Sequence, residues 1–388
     1  MPARSGRLWW GFAATVSVVA AACSSGTGPQ PHLSNPVQLS SDLQSVSGAL
    51  TSPTFLSFGA LHLTTGSPAG APTPAGALLG AAPIGPPRTS RQAYADAPAR
   101  LQALRTAAST LHAGISASVI PPAVLGKTFV WDATTTHGYV EDPSATPAAP
   151  ANGVRVILYA IDPITERVVE PPVAVGFVDL IDLSSGNTNS LHVILSGGTP
   201  ASPGTTYADY TVSGTVTGSP ATAFSASAVG FVTEGTHTLT FNASFSVTNL
   251  TTDNPDAQID VTWGLDNPVV SVVLHETVTT PDANNATLTI DFSVTRGTET
   301  VRAQGTVTIV VSPETVTADL TIYVNGDPFA RITGTATATT NGIQARHADG
   351  SALTRDELDA LQHLFELPDR LERGIEDLFH PCEHLMGG

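Results

Sequence analysis

Leu239-Thr240-Phe241-Asn242-Ala243-Ser244-Phe245-Ser246-Val247 decides the fold class, because its odd positions are apolar and its even ones polar. A strand sends successive side chains to opposite faces, so a period of two is what a sheet with one dry and one wet face demands. The same beat returns in Leu288, Ile290, Phe292 and Val294 against Thr289, Asp291 and Ser293. It returns again in Val307, Ile309 and Val311, and in Ala318, Leu320, Ile322 and Val324. On this register Phe241, Phe245, Ile290 and Phe292 share the apolar face, while Asn242, Ser244, Asp291 and Ser293 point away.

Between the alternating runs lie turn formers: Gly218-Ser219-Pro220, Glu234-Gly235, Asp253-Asn254-Pro255, Asp266-Asn267-Pro268, Pro281-Asp282, Arg296-Gly297, Ser312-Pro313 and Asn325-Gly326-Asp327-Pro328. Links this short join antiparallel neighbours, since a parallel crossover needs a dozen or more residues. The expected fold is therefore mainly β, a long-stranded antiparallel meander. With eight or more strands it curls into a half-barrel, a barrel or two layers. Earlier strands are expected near Thr128 to Trp131, Val154 to Ala160, Val173 to Leu183 and Leu191 to Leu195, in an order that the sequence leaves open.

Helical periodicity flanks the sheet. Val37, Leu39, Leu43, Val46 and Leu50 recur at three- and four-residue steps, as do Leu101, Leu104, Ala108 and Leu111 between about Arg91 and His112. At the C-terminal side Thr354 and Glu357 form a capping box ahead of Leu358, Leu361, Leu364 and Phe365. Leu371, Ile375, Leu378 and Phe379 repeat that face. The expected organisation is a signal segment over 1–22, a flexible tether over 23–36, and short helices over 37–114 with an Ala/Gly/Pro-rich linker at 66–87. The β domain follows over 115–342, then helices and tail over 343–388.

The first residues carry an address. Arg4 and Arg7 precede an apolar run from Leu8 to Val19, then Ala20, Ala21 and Ala22 stand before Cys23, which is the layout of a secretory signal. This stretch resembles the lipobox of bacterial lipoproteins, which implies that Cys23 is diacylated and becomes the mature N-terminus. The resemblance covers only the first two dozen residues. Ala20 and Ala22 also fit the A-x-A motif of the ordinary signal peptidase, which would cut the same bond and leave an unlipidated exported protein. Ser24, by resemblance to the sorting rule of some Gram-negative bacteria, points to the outer membrane or cell surface. Ser24 to Pro29 has the composition of a flexible tether.

Charge narrows the partners. There are 16 basic against 33 acidic residues and a single lysine, Lys127, giving a net charge of −17. Nucleic acid is disfavoured, because its binding needs clustered Lys and Arg. Cys23 and Cys382 are the only cysteines, so no disulfide framework is expected. Aromatics are 6 % of the chain and form no girdle, which with short loops argues against a transmembrane β-barrel.

No chemical motif stands out. Asp349 to Glu357 resembles the exit half of a calcium-binding EF-hand loop, yet Arg346, Ala348 and Ser351 occupy positions that need two ligands and a glycine. A capping box explains the same residues. His380, Cys382 and His384, with His363, are soft and imidazole groups at a spacing that zinc sites do not use. His137 with Glu141 and Asp142 has no nucleophile beside it, and the chain lacks G-x-S-x-G, S-x-x-K and H-E-x-x-H. His275, Glu276 and Asp260 are read as the solvent side of the pleat. No catalytic residue, metal or cofactor is assigned.

Two functions follow as expectations. The first is an envelope lipoprotein whose apolar sheet face, with Phe241, Phe245, Ile290 and Phe292, binds or carries a hydrophobic molecule. The second is a structural or adhesive surface protein in which that face is simply core.

Overall fold

A computed structural model describes residues 32–39, 41 and 119–365, without 135–137, 163, 166, 220, 234, 253 and 338. The signal segment, Cys23, the 66–87 linker, the 91–112 helix, His137, the helix expected from Leu371 and the His380 to His384 group lie outside the described residues.

Among the described residues seventeen strands form. They are β1 (Thr128–Asp132), β2 (Gly138–Glu141), β3 (Gly153–Tyr159), β4 (Ile161–Asp162), β5 (Arg167–Val168) and β6 (Ala174–Asp182). Next come β7 (Thr188–Thr199), β8 (Ser202–Thr217), β9 (Ala223–Thr233), β10 (Thr238–Thr248), β11 (Asp256–Asp266) and β12 (Val269–Thr279). The last are β13 (Asn285–Arg296), β14 (Glu299–Val310), β15 (Thr315–Val324), β16 (Asp327–Thr337) and β17 (Gln344–His347). Fifteen of them make one sheet in the order β17 back to β6, then β3, β1 and β2, and β4 pairs only with β5. From β6 to β17 each strand is antiparallel to its sequence neighbour. The sheet ends in two open edges, β17 and β2, and does not close into a barrel.

The early strands therefore extend the meander and do not form a second layer over it. One pairing departs from the pattern: β1 runs parallel to β3, with Phe129 beside Val156. β17 falls within the region where only helix and tail were expected, because Gln344-Ala345-Arg346-His347 has no apolar alternation and owes its conformation to pairing with β16.

The meander has two unlike rims. On one, the links are as short as Pro200-Ala201, Asn267-Pro268, Gly297-Thr298 and Asn325-Gly326. Asn325 and Gly326 have φ of 53° and 93°, the two positive values that a type I′ hairpin turn requires. The excursion β4–β5 leaves the sheet between β3 and β6 on this same tight rim. On the other rim the links are longer: 218–222, 249–255, 280–284, 311–314 and 338–343.

Burial follows the alternation. In β12, Val270, Val272, Leu274, Glu276 and Val278 are buried while Ser271, Val273, His275 and Thr277 are exposed or half-buried. A sheet of fifteen strands is too wide to stay flat, and it curls over its apolar face. The 355–365 helix packs there with Ala360, Leu361, Leu364 and Phe365, and Leu33, Leu39, Val119, Ile120 and Leu353 join the same core. Leu33 thus belongs to the domain and not to the tether. Val37 and Leu358, assigned by spacing to apolar helix faces, are instead exposed. In the 355–365 helix Glu357 turns inward to complete the cap, which rotates the buried stripe off Leu358.

Glycine lets two strands approach where a side chain would not fit. Gly230 on β9 lies in register between Tyr210 and Phe241, whose rings are 6.0 Å apart. Gly305 on β14 lies between Ile290 and Leu320, at φ +152°, and a Cβ there would strike the Asp319 carbonyl.

Candidate functional site

The four residues nominated as ligand-facing do share the inner face. Ile290 and Phe292 are 0 % exposed, and Phe241 and Phe245 are 3 % and 6 % exposed. Phe292 has Ala303 as its cross-strand partner, a small residue that leaves room for Phe365 of the helix, whose ring centroid is 6.3 Å away. Leu288, Val307, Ile309, Leu320 and Ile322 beside them are also fully buried. A void large enough for water would leave its lining measurably exposed, so β13 to β15 carry a filled core. Slight exposure remains over β9 to β12, where Ala228, Val261, Trp263 and Leu274 retain a few per cent.

Polar atoms sit within this apolar face. Glu276 is fully buried, which corrects its assignment to the solvent side. The reason is the pleat itself: His275 and Glu276 are adjacent, so only one of them can face water, and Val272, Leu274 and Val278 fix Glu276 inside. Glu299, at the start of β14, accepts a hydrogen bond at Oε1 from the Ser34 N–H at 2.7 Å. Among the described residues, Glu299 Oε2 and the Trp263 indole N–H are buried without a hydrogen-bond partner.

The outer face is a polar field. Ser244, Asp260, His275, Asp291, Gln304 and Thr321 stand side by side across β10 to β15. His275 Nδ1 lies 2.5 Å from Asp260 Oδ1, and Gln258 Nε2 donates to Asp260 Oδ2 at 2.6 Å. Burial pushes the Asp260 carboxyl up, but these hydrogen bonds outweigh it and hold it below the ordinary range. Arg302 pairs bidentately with Asp291, with Nε donating to Oδ1 at 2.7 Å. His192 and Asp209 form a similar pair at 2.7 Å on β7 and β8. These carboxylates are engaged by neighbouring side chains on the outer face of the sheet.

One part of the outer face is covered. Arg155 on β3 donates from Nε and a terminal nitrogen to Asp179 on β6, both at 2.7 Å, with both residues buried. Its other terminal nitrogen donates to the Pro147 carbonyl at 3.2 Å, and the guanidinium lies 4.9 Å from the Phe177 ring centroid. The ion pair thus pins the 142–150 segment over the sheet. At the adjacent edge Trp131, Tyr139 and Tyr159 form an aromatic cluster, and burial pushes the Tyr139 hydroxyl well above its usual range.

The remaining sequence constellations resolve into local structure. Glu141 Oε2 receives the Lys127 ammonium at 2.6 Å, and Asp142 Oδ1 accepts from the Ser144 hydroxyl and N–H. Asp349 makes the same turn with Ser351. Thr354 and Glu357 form the capping box, with Thr354 N–H donating to Glu357 Oε2 at 2.8 Å and Glu357 N–H to Thr354 Oγ1 at 3.3 Å. His347 Nε2 also lies 3.3 Å from Glu357 Oε2. Among the described residues no group of three or more His, Cys, Asp or Glu is placed to hold a metal, and no helix is long and apolar enough to cross a membrane. Comparison with known protein families, curated proteins and solved structures found no match for the chain.

Proposed function

We propose that this chain is an exported structural or adhesive β protein of the cell envelope, tethered through a lipid on Cys23, that presents the polar face of its sheet and keeps the apolar face as core. The closure of the inner face over β13 to β15 carries this reading: Ile290 and Phe292 are 0 % exposed, and Phe365 is seated against Phe292. A carrier needs an enclosed opening for its guest, and those side chains leave none there. The outer field of Ser, Thr, Asp and His supports a surface role, since it runs across β10 to β15 as a continuous polar row. The secretory signal and Cys23 support the address, outer membrane or cell surface.

A second reading has its own observation. The Trp263 N–H on β11 is buried on the inner face without a hydrogen-bond partner, and a buried polar group left so costs about 1–3 kcal/mol. An apolar guest with a polar head would relieve that cost, which favours a carrier with its site over β9 to β12. Mature protein made without residues 1–22 and with Cys23→Ser separates the two. The structural reading expects a solvent extract free of stoichiometric lipid by mass spectrometry and no saturable binding of a fluorescent fatty acid at micromolar concentrations; one lipid per chain replaces it with the carrier. In the native host, Cys23→Ser should move the protein from the membrane to the soluble fraction, and unchanged membrane association would remove the anchor.

A further inference from the structure

We infer that the tight-turn rim of the sheet faces the bilayer, with Ile164 and Val269 entering the headgroup layer. This rests on the proposed lipid at Cys23 and adds an orientation to it.

The chain is fastened to the domain soon after the cysteine. Leu33 and Leu39 are buried in the core, and the Ser34 N–H donates to Glu299. Glu299 opens β14, directly after the Gly297-Thr298 turn, so the fastening point is on the tight rim. Eleven residues separate Cys23 from Ser34, and fully extended they reach about 38 Å. β14 itself is 12 residues long, about 40 Å from rim to rim. The opposite rim could touch the bilayer only with those residues at their full reach, whereas the tight rim lies beside the fastening point.

The surface chemistry agrees with that orientation. Four of the large apolar side chains exposed on the domain belong to the tight rim and its β4–β5 excursion: Ile164 at 91 %, Val269 at 71 %, Val173 and Val169. Asp162 Oδ1 accepts from the N–H groups of Ile164 and Thr165, a turn that holds Ile164 at the tip of the excursion. Leu183 is exposed on the opposite rim. The tight turns Pro200-Ala201, Asn267-Pro268, Gly297-Thr298 and Asn325-Gly326 carry no charged residue, whereas Asp282 and Glu314 stand on the other side. The β4–β5 excursion on this rim sets Asp162 and Glu170 against a single basic residue, Arg167, so the rim gains nothing from anionic lipid, and a zwitterionic surface entered by short apolar side chains is the partner that fits.

The test uses acylated full-length protein carrying Cys382→Ser and one new cysteine, at exposed Thr298 or at exposed Glu314. A donor dye is attached there, and the protein is reconstituted into phosphatidylcholine vesicles with a headgroup acceptor dye. Energy transfer should be severalfold greater from position 298 than from 314, and Ile164→Asp with Val269→Asp should reduce it at 298 by half or more. Equal or reversed transfer on protein whose intact mass includes the acyl chains would overturn the orientation alone. Transfer unaffected by the two substitutions would overturn the entry of those side chains. A mass without acyl chains would overturn both the orientation and the anchor beneath it.

Discussion

Phe292 and Asp291 are neighbours with opposite fates. The first is packed against Phe365 and the second pairs with Arg302 on the wet face. Phe292→Asp places an unpaired charge in the core and should cost about 3 kcal/mol or more, while Asp291→Asn removes only an exposed ion pair and should change stability by less than about 1 kcal/mol. Urea denaturation of the two variants checks the register, and equal losses would contradict it. Arg155 and Asp179 raise a different question, because both charges are buried. Asp179→Ala strands the guanidinium and should cost about 3–5 kcal/mol, whereas Arg155→Met with Asp179→Leu should lie close to the parent, since apolar replacement of a whole buried pair is often tolerated. Alternation made Phe292 and Asp291 legible from sequence. It should also have excluded Glu276 from the face of His275, because adjacent strand residues cannot share one. The Arg155–Asp179 pair was not legible: its members are distant in sequence and meet only once β3 and β6 are aligned.

At the scale of the element, Gly305 and the Thr354 cap are the parts most open to a single change. Gly305→Ala combines an unfavourable φ with a clash against the Asp319 carbonyl, so it should lower stability by about 3 kcal/mol and disturb the β14–β15 pairing. Thr354→Ala removes the acceptor for the Glu357 N–H and should cost about 1 kcal/mol, read as a lower melting temperature with the sheet's circular dichroism unchanged. The cap was legible because its partners are three residues apart. The meander from β10 to β16 was legible because links of two to seven residues are too short for a parallel crossover. Neither the parallel β1–β3 pair nor β17 could be read this way. The first depends on which edge an early strand reaches, and the second is four residues without apolar alternation that β16 recruits through its backbone.

At the largest scale, the described domain is a sheet whose outer face and turns carry ionised aspartates. Asp142 and Asp349 are held below the ordinary carboxylate range by the hydroxyls of Ser144 and Ser351, Asp162 by the Thr165 N–H, and Asp266 by the Thr238 N–H. A carboxyl depressed in the fold adds stability above its unfolded value near 3.8 and loses it as pH falls through the folded value. The melting temperature should therefore drop as the pH is lowered below about 4, and Asp162→Asn with Asp266→Asn should flatten that slope. The meander of the second half was foreseeable from alternation and turn spacing, whereas the joining of the early strands to the same sheet was not. Whether its concave side was filled was not, because the same alternation serves a core and a lining. The exported, tethered scaffold proposed here stands on that filled inner face, and the sharpest test is the unfolding free energy of Phe241→Ala and Phe245→Ala, the two nominated lining residues where slight exposure remains. A filled core predicts losses of about 3–5 kcal/mol each, from lost transfer energy and a new cavity; losses below about 1 kcal/mol, with altered uptake of a fluorescent fatty acid, would mean that these rings line a hollow and that the scaffold account is wrong.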